Sequence, residues 1–280
     1  MSTNSLPLLQ HALESASAFT PERLMDAVRA DRGLAHEPVP PLCLLDFDGD
    51  LSDRLAEEGI TSPTASWACF HTSMRVMTLH GLSCGIVPRT IGGPYAVLVA
   101  EQLWAAGAKL LVGITSAGRV SPTLPLPSVV VIDEAVRDEG TSLHYLPPST
   151  TVATPTTGLA DLLAQELAAL SSPVIRGIVW TTDAPYRETP DQLRSWAENN
   201  VLAVEMQAAS LFAFARARAA QVGMVALVSN GVDDATGAQF DTGGHEFRVQ
   251  VLDAVARAAQ AYLRPSRAGS TEGRQGGVMA

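Results

Sequence analysis

The sequence predicts an α/β protein with a mostly parallel sheet covered by helices on both faces. Three observations predict it: apolar runs of strand length recur, helix-like stretches alternate with them, and most runs end in small or polar residues. The 280 residues are 46% apolar, 17% charged and only 5% aromatic, a mixture of small and β-branched side chains that suits a close-packed α/β core. This length supports one large domain or at most two small ones.

Residues 1–41 read as a helical leader packed onto the body. A short helix is expected around Leu8 to Ser17. A second is opened by Thr20-Pro21-Glu22, with Thr20 as N-cap and Pro21 in the first helical position, and runs to about Ala30. A Pro-rich connector, Glu37 to Pro41, follows. The predicted strands are Leu42 to Leu45, Ser83 to Val87, Leu110 to Ile114, Val129 to Ile132, Ile175 to Trp180 and Met224 to Val228. The helix-like stretches between them are Pro94 to Ala106, Gly158 to Ala169, Pro190 to Glu198, Glu205 to Ala220 and Glu246 to Ala261. Residues 42–263 thus form the α/β domain. Residues 264–280, rich in Gly, Ser and Arg with little to bury, read as a disordered tail.

The charge balance narrows the partners. With 29 acidic against 19 basic side chains, a net charge of −10 disfavours nucleic acid or an anionic membrane. Cys43, Cys69 and Cys84 are odd in number and lack CxxC spacing, so neither a disulfide framework nor a structural zinc site is indicated, and no metal is expected. No apolar run reaches the roughly 18 residues of a membrane span, and Met1 to Gln10 lacks a signal-peptide pattern. The expected setting is soluble and cytoplasmic. Lys109 is the only lysine.

In such a sheet, ligands collect where strands end, because backbone N–H groups and helix N-termini are free there. Five loops qualify: Asp46 to Asp50, Arg89 to Pro94, Thr115 to Gly118, Thr181 to Tyr186, and Ser229 to Gly231. The first, Asp46-Phe47-Asp48-Gly49-Asp50, resembles the opening motif of haloacid-dehalogenase-type phosphatases, whose two aspartates serve as nucleophile and proton shuttle beside Mg²⁺. Ser116 and Asp233-Asp234 would fill the outer roles, but Lys109 precedes Ser116 where that machinery requires a later lysine. The other reading of Asp46 and Asp48 is an acidic turn capping a helix that starts near Leu51.

A second resemblance spans more of the chain. Ile91-Gly92-Gly93-Pro94 with Glu101-Gln102-Leu103 and Gly107, then Thr115-Ser116-Ala117-Gly118, then Arg137 to Ser142 with His144-Tyr145-Leu146-Pro147, then Thr182 to Arg187, then Val204-Glu205-Met206-Gln207-Ala208-Ala209 occur in one order. These segments resemble the nucleoside phosphorylase superfamily, from about Leu42 to about Tyr262. The resemblance implies a single three-layer α/β domain with a central mixed β-sheet, and an enzyme cleaving the N-glycosidic bond of a purine or pyrimidine nucleoside. Phosphate is the implied acceptor, with water, or nucleoside binding with little turnover, as alternatives. No cofactor beyond co-substrate phosphate is implied, and a homo-oligomer (dimer, trimer or hexamer) is.

The chemistry explains the residue types. Breaking an N-glycosidic bond leaves positive charge on the sugar and negative charge on the base, so the protein must hold the sugar and receive charge on the base. By resemblance, Glu205 is the catalytic carboxylate beside the ribose and Met206 its apolar floor, while Gln207 stands where the family has a second glutamate. Asn230 stands where many purine-acting relatives carry an aspartate that protonates the base; its amide can only donate a hydrogen bond. Ser116, Gly118, Thr182, Trp180, Tyr186 and Arg187 complete the implied substrate contacts. Trp180 and Tyr186 are the candidate stacking rings, since the stacking position itself falls on Pro185. Trp180 also reads as plain core. Gly49 and Arg54, with Ser116, resemble the phosphate loop, one residue longer than usual and without its proline. Gly113 falls where phosphorylases usually present a phosphate-binding arginine, leaving Arg54, Arg75 and Arg89 as replacement charges, or His71 or Arg75 from a neighbouring subunit. The Ser116-Ala117-Gly118 triplet itself resembles the hydrolytic members.

Overall fold

The computed structural model describes residues 6–10, 12–232 and 244–264. Strand β1 (Leu42–Asp46) pairs in parallel with β4 (Leu82–Pro88) on one side and β5 (Leu110–Arg119) on the other. Beyond β4 lie β3 (Arg75–Leu79) and the two-residue β2 (Ser62–Pro63), both antiparallel. On the far side of β5 the pairings close into a ring. Parallel β10 (Val222–Gly231) borders β5, antiparallel β6 (Ser128–Asp138) borders β10, and β8 (Val174–Thr182) and β9 (Val201–Glu205) follow in parallel. Antiparallel β9 returns to β5 through Gly118–Val204 and Arg119–Ala203. Short β7 (Thr151–Ala153) hangs on β6. The sheet is therefore mixed, as the resemblance implies, rather than mostly parallel as the strand–helix alternation alone suggests.

Alternating side chains feed two cores. Cys43 and Leu45 face one side with α1 (Pro21–Arg32), α3 (Gly93–Ala105) and α6 (Ala208–Arg218). Leu42 and Leu44 face the other with α2 (Asp50–Glu57), α4 (Leu159–Leu167) and α7 (Gly244–Leu263). This period-2 division of one strand between two helical layers is what a three-layer domain requires. In α6, every residue from Ala208 to Ala215 is buried. Small residues allow that close approach, while Phe212 and Phe214 each contribute roughly 1.5–3 kcal/mol by burial.

Several boundaries differ from the sequence reading. The expected Leu8 to Ser17 helix is reduced to one 3₁₀ turn at Pro7–Leu9. Leu6 and Leu9 are exposed, so an isolated short helix there has no apolar face to dock. Glu205 ends β9 rather than beginning a helix, and α6 starts three residues later. Of the 264–280 tail, all but Arg264 lies outside the described residues. Among the described residues no helix is long and apolar enough to cross a membrane. Exposed Lys109 immediately precedes β5, at the opposite end of that strand from Ser116 to Gly118.

Candidate functional site

The ring closure positions the site. Because β9 meets β5 at Gly118–Val204 and β10 meets it at Gly118–Asn230, the ends of three strands converge. A cavity of about 360 Å³ lies there, lined by Ser116, Gly118, Glu205, Met206, Gln207 and Asn230 from the predicted set. Asp48, Ile91, Pro185, Glu188 and Val232 also line it. This volume lies within the range of small-molecule sites.

Glu205 is 4% exposed and anchored from several directions. One carboxylate oxygen accepts from the Gln207 and Ala208 backbone N–H groups at 2.7 and 2.9 Å, and the other from the Thr181 hydroxyl. It therefore also satisfies the first N–H groups of α6, where a negative charge is favoured. Burial nevertheless raises its pKa to about 7. Gln207 is 1% exposed; its Oε1 accepts from Gly92 N at 3.0 Å and its Nε2 donates to Thr115 Oγ1 at 3.0 Å. Its amide thus ties the turn before α3 to the end of β5, leaving one N–H for the cavity. Asn230 Oδ1 accepts from the Ser229 hydroxyl at 3.1 Å.

Other predicted residues lie elsewhere. Trp180, 1% exposed, donates from Nε1 to Asp138 at 3.0 Å and packs against the Trp196 ring, so it is a core residue rather than a stacking surface. With Thr182 and Arg187 it borders a neighbouring cavity of about 490 Å³ that shares Glu188. Thr182 Oγ1 accepts from Ala184 N, capping the loop. Tyr186 is fully exposed and lines neither cavity. Pro185, in the predicted stacking position, does face the candidate site.

The phosphate residues are rearranged. Gly49 caps α2 with φ 90° and lies beneath the Arg89 side chain, so a Cβ there would meet Arg89 Cγ at 2.7 Å. Arg54 pairs with Glu58 at 2.6 Å and does not line the cavity. Arg89 pairs with Asp53, and Arg75 donates to Thr61. A Cβ on Gly113 would meet Met224 Sδ at 2.3 Å and Phe47 Cε2 at 2.7 Å, so that strand position has no room for an arginine.

The two aspartates of the acidic loop are held by different partners. Asp46, 1% exposed, accepts from Gly49 N at 3.2 Å and Ser52 N at 2.8 Å and so caps α2. Burial raises its pKa, against the pull of those hydrogen bonds. Asp48 points instead to Ser116: its two oxygens accept from Ser116 N at 3.1 Å and Ser116 Oγ at 3.0 Å, and Arg248 Nη2 lies 3.4 Å away. Asp233-Asp234 lies outside the described residues, and among the described residues no cluster of His, Cys, Asp and Glu could hold a metal.

Sequence reasoning missed Arg248 and Glu188. Arg248 is a buried arginine on α7, 2% exposed, where the sequence shows only an ordinary Glu246-Phe247-Arg248 run. Glu188 reads as a loop acid before Thr189-Pro190, yet it borders both cavities, and burial raises its pKa to about 7. Neither has a local motif to reveal it.

The fold is a three-layer α/β domain whose strand ends converge on one cavity suited to a small molecule. Residues 43–265 match the model of the phosphorylase superfamily, and the chain belongs to that superfamily. It is 28% identical to guanosine phosphorylase of Halorubrum lacusprofundi over 151 residues, 53% of this chain and 61% of that protein. It is 26% identical to uridine phosphorylase of Haemophilus influenzae over 207 residues, 66% of this chain and 78% of that protein. The chain thus spans about three fifths of the first of these relatives. In fold it resembles uridine phosphorylase from Vibrio fischeri ES114, with TM-score 0.69 and 20% identity over 81% of this chain and 95% of that one.

Proposed function

We propose that this chain cleaves the N-glycosidic bond of a purine or pyrimidine nucleoside, removing the ribosyl group from its base. The observation that carries the reading is the convergence of Glu205, Met206 and Gln207 with Ser116, Gly118 and Asn230 around one cavity of about 360 Å³. Glu205 would stabilise the developing sugar cation from a fixed position, and Met206 would provide the apolar floor. Asn230 would donate a hydrogen bond to the departing base, lowering its negative charge without transferring a proton. The relatives named guanosine phosphorylase and uridine phosphorylase represent the two base classes. We further propose a homo-oligomer.

Incubation with a panel of purine and pyrimidine nucleosides, with and without phosphate, tests the reading by release of free base. Release from at least one nucleoside is expected. Nucleoside binding with no release under either condition would identify a binding homologue instead.

A further inference from the structure

A cleft of about 640 Å³, larger than either cavity described above, lies between the N-terminal leader, α3 and the segment that follows β6. None of its lining residues borders the candidate site. Phe19 and Leu24 supply the leader wall, and Val97 and Leu98 supply the wall from α3. Phe19 and Leu98 are 63% and 38% exposed, so apolar surface is left open there.

The polar groups of this cleft are acceptors short of donors. Gln102 borders it at 2% exposure, and its Oε1 is buried with no hydrogen-bond partner. A buried acceptor in that state costs free energy until a donor reaches it. Beside it, Glu101 Oε1 accepts from the Tyr145 hydroxyl and from Arg218 Nε, each at 3.0 Å. Both bonds fall on one carboxylate oxygen, which leaves the other for a further donor. Asp183 Oδ2 accepts from Gly140 N at 2.9 Å. Burial outweighs that bond and raises the Asp183 pKa, and Glu139 and Asp138 add to the rise. The described lining thus holds two carboxylates to one arginine, and that arginine is already paired with Glu101 and lies over the Tyr145 ring.

We propose that this cleft binds a small amphipathic amine, whose ammonium donates to Gln102 Oε1 and to the Glu101 carboxylate while its apolar body lies against Phe19, Leu24 and Leu98. The site is separate from the nucleoside reading. Its volume and its pairing of apolar walls with a few convergent polar groups are those of small-molecule sites. An ammonium brings three donors and a positive charge, so one group satisfies the unpaired amide oxygen and meets the carboxylate. An anion of the same shape would meet these acceptors with no donor to offer.

Calorimetric titration of the full chain at pH 7 tests the proposal with 2-phenylethylamine as probe. Its control is 3-phenylpropionate, which has the same apolar body and the opposite charge. The amine is expected to bind with Kd below about 1 mM, and the carboxylate at least about tenfold more weakly. Gln102→Leu removes the unpaired acceptor at similar volume and should weaken amine binding about tenfold. Leu98→Trp puts a larger ring at a partly exposed position and should abolish amine binding with thermal unfolding unchanged, which keeps the test decisive even if Gln102→Leu does not fold. No amine binding by the wild type, equal binding of the carboxylate, or unchanged amine affinity in Leu98→Trp overturns the proposal. If the wild type refuses the amine and Leu98→Trp lowers the mass seen by light scattering, the cleft belongs to a second copy of the chain instead.

Discussion

Glu205 combines a stability cost with a catalytic use. Its carboxyl ionises near pH 7 in the folded chain against an ordinary 4.5, because burial outweighs the donors from Thr181, Gln207 and Ala208. A carboxyl raised in this way keeps its proton in the folded state after the unfolded chain has lost it. Its contribution to stability is therefore full below about pH 4.5 and is lost as pH rises through about 7, about 3 kcal/mol in all. Only the ionised form can stabilise a sugar cation, so kcat/KM should climb through the same window. Glu205→Gln should remove that climb, lower kcat by roughly a hundredfold, and flatten the dependence of stability on pH. Unchanged kcat in a folded variant would take Glu205 out of the mechanism. Gln207→Glu tests a different property. It removes the donor to Thr115 Oγ1, whose own proton is committed to the Ser116 carbonyl. Restoring a glutamate should therefore cost about 1–3 kcal/mol in chemical denaturation rather than raise activity. An unchanged midpoint would show that Thr115 can turn to serve a carboxylate.

At the scale of elements, the loop from β8 to α5 (Pro190–Glu198) sets where Pro185 and Glu188 stand, and its far end is fixed by a capping box. Thr189 Oγ1 accepts from Gln192 N while Gln192 Oε1 accepts from Thr189 N. Thr189→Ala should cost about 1 kcal/mol by thermal unfolding, and no change would mean the box is redundant. Gly113→Ala should cost about 1–3 kcal/mol by overpacking Met224 and the Phe47 ring in β5. These elements differ in how legible they were. The Thr-Pro starts of α1 and α5 and the apolar halves of β1, β4 and β10 are plain in the sequence, because capping chemistry and continuous burial leave a local signature. The polar halves are not: β5 continues through Thr115-Ser116-Ala117-Gly118-Arg119 only because β10 and β9 pair with it there. β9 was hidden because Val201–Glu205 runs almost directly into α6. The site shares this division. Glu205 and Met206 were visible as a motif, whereas Arg248 reaches Asp48 across 200 positions of chain, a separation no local pattern encodes.

For the whole molecule, the closure of β5, β10, β6, β8 and β9 explains why one cavity gathers residues from distant segments. A homo-oligomer is expected in solution. Light scattering on the purified chain checks this, and a mass near the 29.5 kDa of one chain would refute it. The one lysine has a practical consequence at this scale. Lys109 stands at the start of β5, seven positions before Ser116, a distance of about 20 Å along an extended strand. It supplies the only side-chain amine among the 280 residues, on the end of the sheet remote from the cavity. Tethering through that amine would attach the protein to a solid support in a single orientation, with the mouth of the cavity facing the liquid.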